Sequence, residues 1–257
     1  MPVKRFICPD KVEIPTEDCM AACRLPLRCL PRPILENAIF GREWRPVASA
    51  SMAGKGNRQI ILEAWEEYAV NPRGTLWALI GISAHDKAHR KAKEGMAEIQ
   101  HEYPLEDPYV TGRYDYYDDQ EKILYDYKVW GSYKVEKLIA RDAGTLQDIA
   151  MQTNAYRLMI EEAGFPVEQI YVAAVPRDGG TWMAKKRGVA EEIYMIPMPM
   201  MDLEEVKDFY RKKTEALKLA CSTGKVPDFC DEHERWEGRR CKGYCGVVHN
   251  CNPPWVG

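Results

Sequence analysis

The sequence predicts an α/β protein in which a mixed β-sheet is flanked by helices, with a small cysteine-rich module at each terminus. Helical patterns stand before, between and after the strand patterns, as they do when helices cover a sheet. The segment QIYVAAVPR, 169 to 177, is almost continuously apolar, the mark of a strand covered on both faces. The ends carry a third observation. Residues 8 to 29, CPDKVEIPTEDCMAACRLPLRC, and 230 to 251, CDEHERWEGRRCKGYCGVVHNC, share the spacing Cys-x10-Cys-x3-Cys-x5-Cys although little else in them aligns.

Taken in order, residues 1–35 read as the first cysteine module, 36–220 as the core and 221–257 as the second module. Between Pro31 and Lys55, scattered Gly, Pro and Ser predict an irregular connector. In IILEAWEEYAV the apolar pairs at 60/61, 64/65 and 68/69 recur every four residues, predicting a helix that NPRG, 71 to 74, stops. A second helical pattern, TLWALIGISAHDKAHRKAKEGMAEIQ, follows over 75 to 100. YVTGRYDYY and KILYDYKV are aromatic and β-branched runs separated by DDQE, a hairpin signature. A long helix is expected from Leu146 to Ala163 before Gly164, a further strand near 193 to 198 and a last helix over 204 to 220.

Bulk properties narrow the function. At 257 residues, 46% apolar and 29% charged, the chain can bury a core. No apolar run approaches the roughly 20 residues of a membrane span, and MPVKRFICPD lacks a signal-peptide core, so a cytoplasmic protein without membrane contact is expected. A reducing compartment favours metal ligation over disulfides for eight of the nine cysteines, with Cys221 left over. The net charge of −3 gives no whole-molecule attraction to nucleic acid, but three basic clusters could form a local channel: Lys134, Lys137 and Arg141; Lys185, Lys186 and Arg187; Arg211, Lys212 and Lys213.

Chemistry concentrates in the hairpin. A two-residue turn at Gln120 and Glu121 would place Asp115 opposite Asp126, with side chains on one face about 5 Å apart. Adjacent carboxylates either raise one pKa or recruit a hard cation such as Mg²⁺. Lys128, two residues past Asp126, projects from the same face. Two acids and a lysine around a divalent ion suit phosphodiester hydrolysis. In the preceding helix, Gly81 leaves room for His85 to approach the sheet, and Gln152 and Tyr156 share one face of the following long helix.

The order G-x3-H, G-x2-D in GRYD, D-x-K in DYK and Q-x3-Y over residues 74 to 176 resembles the RecB-like branch of the PD-(D/E)XK nucleases. The resemblance implies a restriction-endonuclease-like core in which His85, Asp115, Asp126 and the Tyr127 carbonyl bind catalytic Mg²⁺ or Mn²⁺. Lys128 would be the catalytic lysine, and Gln152 and Tyr156 the substrate-contacting helix motif. Asp126 stands where relatives often have Glu, which shortens the reach and keeps the charge. The activity implied is a DNA nuclease, probed first as an exonuclease on single strands or ends, working with recombination or phage replication partners.

Some members of this branch hold a [4Fe-4S] cluster with one upstream cysteine and three downstream ones spaced C-x2-C-x5-C. Here Cys241, Cys245 and Cys251 give C-x3-C-x5-C. A shared cluster would leave several cysteines without a role. The repeated spacing favours two self-contained structural quartets, Cys8/Cys19/Cys23/Cys29 and Cys230/Cys241/Cys245/Cys251, each suited to Zn²⁺ or an iron–sulfur cluster. HDKAH offers a rival pair, His85 and His89, but Asp86 replaces the Glu that zinc hydrolases need. Tyr114, Tyr116, Tyr117, Trp130 and Tyr133 could stack on unpaired bases or pack the sheet. From another class, a catalytically silent nucleic-acid-binding or assembly protein would use its terminal modules, with Arg235, Arg239, Arg240 and Lys242 as contacts.

Overall fold

The computed structural model describes residues 3–39, 43–74, 76, 79–83, 100–104 and 106–255. In chain order the elements are β1 (Val3–Ile7), β2 (Glu13–Pro15), α1 (Thr16–Ala21), α2 (Arg32–Ile39), β3 (Ala48–Ser49), α3 (Asn57–Trp65), β4 (Tyr68–Val70), β5 (Gln100–Tyr103), β6 (Val110–Arg113), β7 (Tyr116–Asp118) and β8 (Ile123–Trp130). They continue with α4 (Ser132–Ile139), α5 (Ala143–Glu162), β9 (Gln169–Pro176), α6 (Trp182–Lys186), β10 (Tyr194–Pro197), α7 (Leu203–Thr223), α8 (Arg239–Gly243) and α9 (Val248–Cys251). The expected α/β architecture is present, with three mixed sheets and helices around them. No helix among the described residues is long and apolar enough to cross a membrane.

The chain divides into two compact units: residues 1–46, 55–80 and 216–257 form the first, and 47–54 with 81–215 the second. Both cysteine segments fall in the first unit. Its sheet runs β2-β1-β4, with β1 antiparallel to β2 and parallel to β4. Phe6, Cys19, Leu35 and Ala38 form one small apolar cluster in it, with Val3, Ile14, Met20, Leu30, Ile39 and Val70 packed against it.

In the second unit a four-stranded sheet runs β10-β9-β8-β7, and a three-stranded sheet runs β3-β6-β5. β8 and β9 are parallel over eight pairs, from Ile123↔Gln169 to Trp130↔Pro176, while β7 and β10 are antiparallel to their neighbours. Strand alternation puts Leu124, Asp126, Lys128 and Trp130 on one face, level with Ile170, Val172, Ala174 and Pro176. Tyr125, Tyr127 and Val129 take the other face, where Tyr116, Tyr125 and Tyr171 stack across three strands.

α5 is the longest helix committed to this unit. Asp142 caps its N-terminus, accepting from Thr145 N. Its end is a Schellman turn: Phe165 N donates to Ile160 O, and Gly164 takes φ 88°, which a side chain would strain. Buried polar ties hold other segments: Asn154 donates to Pro199 O and accepts from Met201 N, and Thr214 Oγ1 donates to Tyr109 O while accepting from Ala48 N.

Several expectations need correction. The 31–55 connector contains α2 and the short β3, because RPILENAI has an apolar face that reaches the terminal cluster. The helix over 60 to 70 ends at Trp65; Tyr68–Val70 instead extends and pairs with β1, where Tyr and Val satisfy the pleated edge. Residues 79–83 are helical and Gln100 begins β5, where the sequence predicts a helix; the stretch 84–99 of that expected helix lies outside the described residues. The run 109 to 117 is two strands in two different sheets, broken at Tyr114 and Asp115. The short helices α4 and α6 had no sequence expectation. β10 is an edge strand with Met195 outward, 48% exposed, so it is covered on one face only.

Candidate active site

The break at Tyr114–Asp115 makes the site. β7 pairs with β8 as Tyr116↔Tyr125, Tyr117↔Leu124 and Asp118↔Ile123. That register, continued one step, sets Asp115 against Asp126 as expected, although the loop spans four residues, Asp119 to Lys122, instead of two. Beyond β7 the ladder stops and the Asp115 carboxylate replaces a strand partner: its Oδ2 accepts from Tyr127 N at 2.6 Å. The backbone at Tyr127 is therefore fixed by a side chain that is itself only 8% exposed.

Asp126 is 1% exposed. Burying a carboxylate is costly unless it is paired, and its partner is Lys128, whose Nζ donates to Oδ1 at 2.8 Å. Oδ2 lies 2.8 Å from the same Nζ yet receives no hydrogen bond of acceptable geometry. Burial pushes the Asp126 carboxyl up to about 6, the Lys128 ammonium pulls against this, and the neighbouring Asp115 charge and hydrogen bond add to the rise. Burial disfavours the Lys128 ammonium, but Asp126, Tyr156 and Asp115 hold it above its ordinary value.

α5 supplies the wall. Gln152 Nε2 donates to Tyr156 Oη at 2.9 Å, joining the two residues expected to act together. Tyr156 is 5% exposed and its phenol is pushed up to about 12, by burial first and by Asp126 second. This ring is what makes Gly112 necessary: a Cβ there would stand 2.8 Å from Tyr156 Cε1 and 3.1 Å from Met159 Cε. The structure thus brings Asp115, Asp126, Lys128, Tyr156 and Gln152 together. His85, His89 and Asp86 lie outside the described residues. Among the described residues, a Cβ at Gly81 would meet nothing within 4 Å.

Of the rings considered for stacking, Tyr114 and Tyr117 are buried and pack the sheet. Tyr117 Oη donates to Pro166 O at 2.5 Å. Trp130 and Tyr133 stand at the far end of β8 and on α4, beneath the cations Lys134 and Lys137.

The cysteines gather as two sets. Cys8 lies in the β1–β2 turn, where its N–H donates to Val12 O and its carbonyl accepts from Lys11 N. Burial pushes the Cys19 thiol up; Arg28 opposes, and Cys23, Cys8 and Cys29 lie near enough to add to it. Cys230, Cys241, Cys245 and Cys251 line one cavity with Gln59, Phe229 and Trp255. Arg58 Nε donates to Cys251 Sγ at 3.1 Å, an approach the sequence could not have indicated. Burial pushes the Cys245 thiol up to about 11. All nine cysteines are free thiols, and among the described residues no three Cys, His, Asp or Glu side chains are drawn close enough to hold a metal ion as they stand.

Neither a family model nor a curated protein matches the chain. Among solved structures it is similar to SSO0001, with a TM-score of 0.48 and 15% identity over 93% of this chain and 96% of that one. It is also similar to a phage-related exonuclease from Haemophilus somnus 129PT, with a TM-score of 0.40 and 13% identity over 68% of this chain and 83% of that one.

Chemically, the centre offers two carboxylates and one ammonium in a buried setting where charge interactions are strong. Asp126 Oδ2 faces the Lys128 ammonium at 2.8 Å without a hydrogen bond of acceptable geometry. Among the described residues the donors here are all oxygen, which suits Mg²⁺ or Mn²⁺ over softer metals. Arg235 and Arg240 of the last module, by contrast, turn inward over Trp255 and Trp236.

Proposed function

We propose that the chain is a metal-dependent deoxyribonuclease of the RecB-like, PD-(D/E)XK type, with a restriction-endonuclease-like core. The observation that carries this reading is Asp126: a carboxylate 1% exposed, set beside a second acid, with one buried oxygen lacking a hydrogen bond. Lys128 compensates part of that buried negative charge, and a cation held between the two acids would compensate the rest. Asp115, Asp126 and the Tyr127 carbonyl, with His85, would hold Mg²⁺ or Mn²⁺. When bound, the ion supplies Lewis-acid polarisation of a phosphodiester. Lys128 holds its proton and offsets the negative charge that develops on phosphate. Tyr156 stays protonated at neutral pH, so its hydroxyl can donate to a phosphate oxygen, and Gln152 orients it.

The two thiol sets would hold structural metal, Zn²⁺ or [4Fe-4S], since four thiolates leave no open position for catalysis. Holding it would draw the four side chains of each set inward. The reading of a silent binding or assembly protein loses support where Arg240 is 7% exposed and the Arg235 side chain 21% exposed.

Labelled single- and double-stranded DNA incubated with Mg²⁺ or Mn²⁺ tests the proposal. The wild type should cut, and Asp126→Ala and Lys128→Ala should each lose most of the activity. Binding without cutting under any metal refutes the nuclease; normal cutting by both variants refutes the site. Elemental analysis with a visible spectrum reads the thiol sets. Two zinc ions per chain fit separate quartets, and a brown sample with one iron–sulfur centre fits a shared one.

A further inference from the structure

Two of the three basic clusters in the sequence meet at one end of the sheet. β8 and β9 are parallel, so Trp130 and Pro176 end side by side, and Arg177 N donates to Trp130 O at 2.7 Å. α4 follows β8 and α6 follows β9. Asp178 locks the junction, accepting from Ser132 N at 2.6 Å and from Ser132 Oγ at 2.7 Å. Arg187 reaches back from the end of α6 to donate to Ser132 Oγ at 2.9 Å, and its guanidinium lies 5.7 Å from the Tyr133 ring centre. Residues 130–142 and 177–187 together carry seven Lys and Arg against three Asp and Glu, in a chain whose net charge is −3.

Rings alternate with these cations. Lys134 Nζ lies 4.3 Å from the Trp130 ring centre, Lys137 Nζ 6.0 Å from that of Tyr133 and Lys186 Nζ 5.1 Å from that of Trp182. Trp182 is 69% exposed and Tyr133 47% exposed. A tryptophan so open on a five-residue helix contributes little to the core. Trp130 shares the strand face of Asp126 and Lys128, roughly 6.6 Å along the strand from Lys128. Exposed rings beside ammonium groups are the chemistry that takes unpaired bases on their faces and phosphates on the cations. A duplex presents its phosphates but hides its base faces.

We propose that this end of the sheet is a track for an unpaired nucleic-acid strand, formed by Trp130, Tyr133 and Trp182 with Lys134, Lys186 and Arg177, and leading to Asp126 and Lys128. It rests on the nuclease reading for its destination; its charge and rings stand independently.

The test uses the full chain without added divalent cation and measures fluorescence anisotropy of labelled oligothymidylate and of a blunt duplex of equal length. Trp182→Ala should weaken oligothymidylate binding by at least about fivefold and duplex binding much less. Lys134→Ala with Lys186→Ala should flatten the salt dependence of single-strand binding by about 1.4 log units per log unit. All three positions are exposed, so the thermal midpoint should not move. Unchanged oligothymidylate binding in the variants overturns the track, as does an equal loss for the duplex or equal competition by polyglutamate. The two readings separate cleanly. A wild type that cuts while track variants bind normally sinks the track alone, and one that never cuts yet binds through these residues sinks the nuclease alone.

Discussion

At the scale of single residues, the charges of the centre govern stability in their own right. Asp126 and Lys128 are a buried ion pair with side-chain exposures of 2% and 18%. Removing one partner of such a pair leaves an uncompensated buried charge, which costs about 3 to 5 kcal/mol. Lys128→Met is therefore expected to lower unfolding free energy by that order in chemical denaturation, and adding Asp126→Asn should restore much of the loss. Strict additivity in the double-mutant cycle would show that the pair is not coupled. Gly112 carries the second expectation at this scale. A Cβ there overlaps the Tyr156 ring, so Gly112→Ala should cost about 1 to 3 kcal/mol and, on the nuclease reading proposed above, reduce cleavage by shifting Tyr156. A thermal midpoint equal to the wild type's would refute it. The facing acids and the lysine were legible because strand alternation and a symmetric hairpin register place them by counting, and the register came out as counted. The grip of Asp115 on Tyr127 N was not legible, since it depends on the strand changing sheets just there.

At the scale of elements, the sequence is most readable where burial and local signals agree. β9 and α5 have long apolar patterns and clear ends, and both appear within a few residues of expectation. Short elements escape: Tyr68–Val70 continues a helical period by composition, yet joins β1 because a neighbouring edge is there to pair with. The run 109 to 117 has one uninterrupted β-pattern, and alternation says nothing about which sheet each half enters. α5 offers an element-scale test through its cap. Asp142 accepts from Lys137 Nζ at 3.0 Å and from Thr145 N and Oγ1 at 3.2 and 2.9 Å. The Lys137 bond first, and the Thr145 bonds next, hold its carboxyl at about 2, below the ordinary 3.8. A depressed carboxyl stabilises the fold above its unfolded pKa and loses that contribution as pH falls from about 4 to about 2. Asp142→Ala should cost about 1 kcal/mol at pH 7 by denaturant titration, and the gap from the wild type should close as pH falls through that window. A gap that persists at the acid end would show the loss to be packing and not the cap.

At the scale of the whole molecule, cysteine chemistry and carboxylate chemistry occupy different units. All nine cysteines lie within residues 1–46 and 216–257, and the second unit, which carries Asp115, Asp126, Lys128 and Tyr156, has none. The repeated spacing suggested two cysteine sets, but it could not indicate that both ends join residues 55–80 in one compact unit, because that depends on β1 pairing with β4 and on Arg58 reaching Cys251. The N-terminal cluster of the first unit is small and includes Cys19 itself. A cluster of that size stabilises the N-terminal segment only modestly, and a structural metal there would supply folding free energy directly. If the quartets hold metal, chelation with a thiol-blocking reagent should unfold the first unit selectively. Hydrogen exchange should then show protection lost in β1, α3 and α9 while amides of β8, β9 and α5 keep theirs, because Leu124, Ile170 and Ala155 are buried in a core that contains no thiol. Uniform loss of protection would refute this separation, and an unchanged first unit would mean that its thiols stabilise the fold without metal.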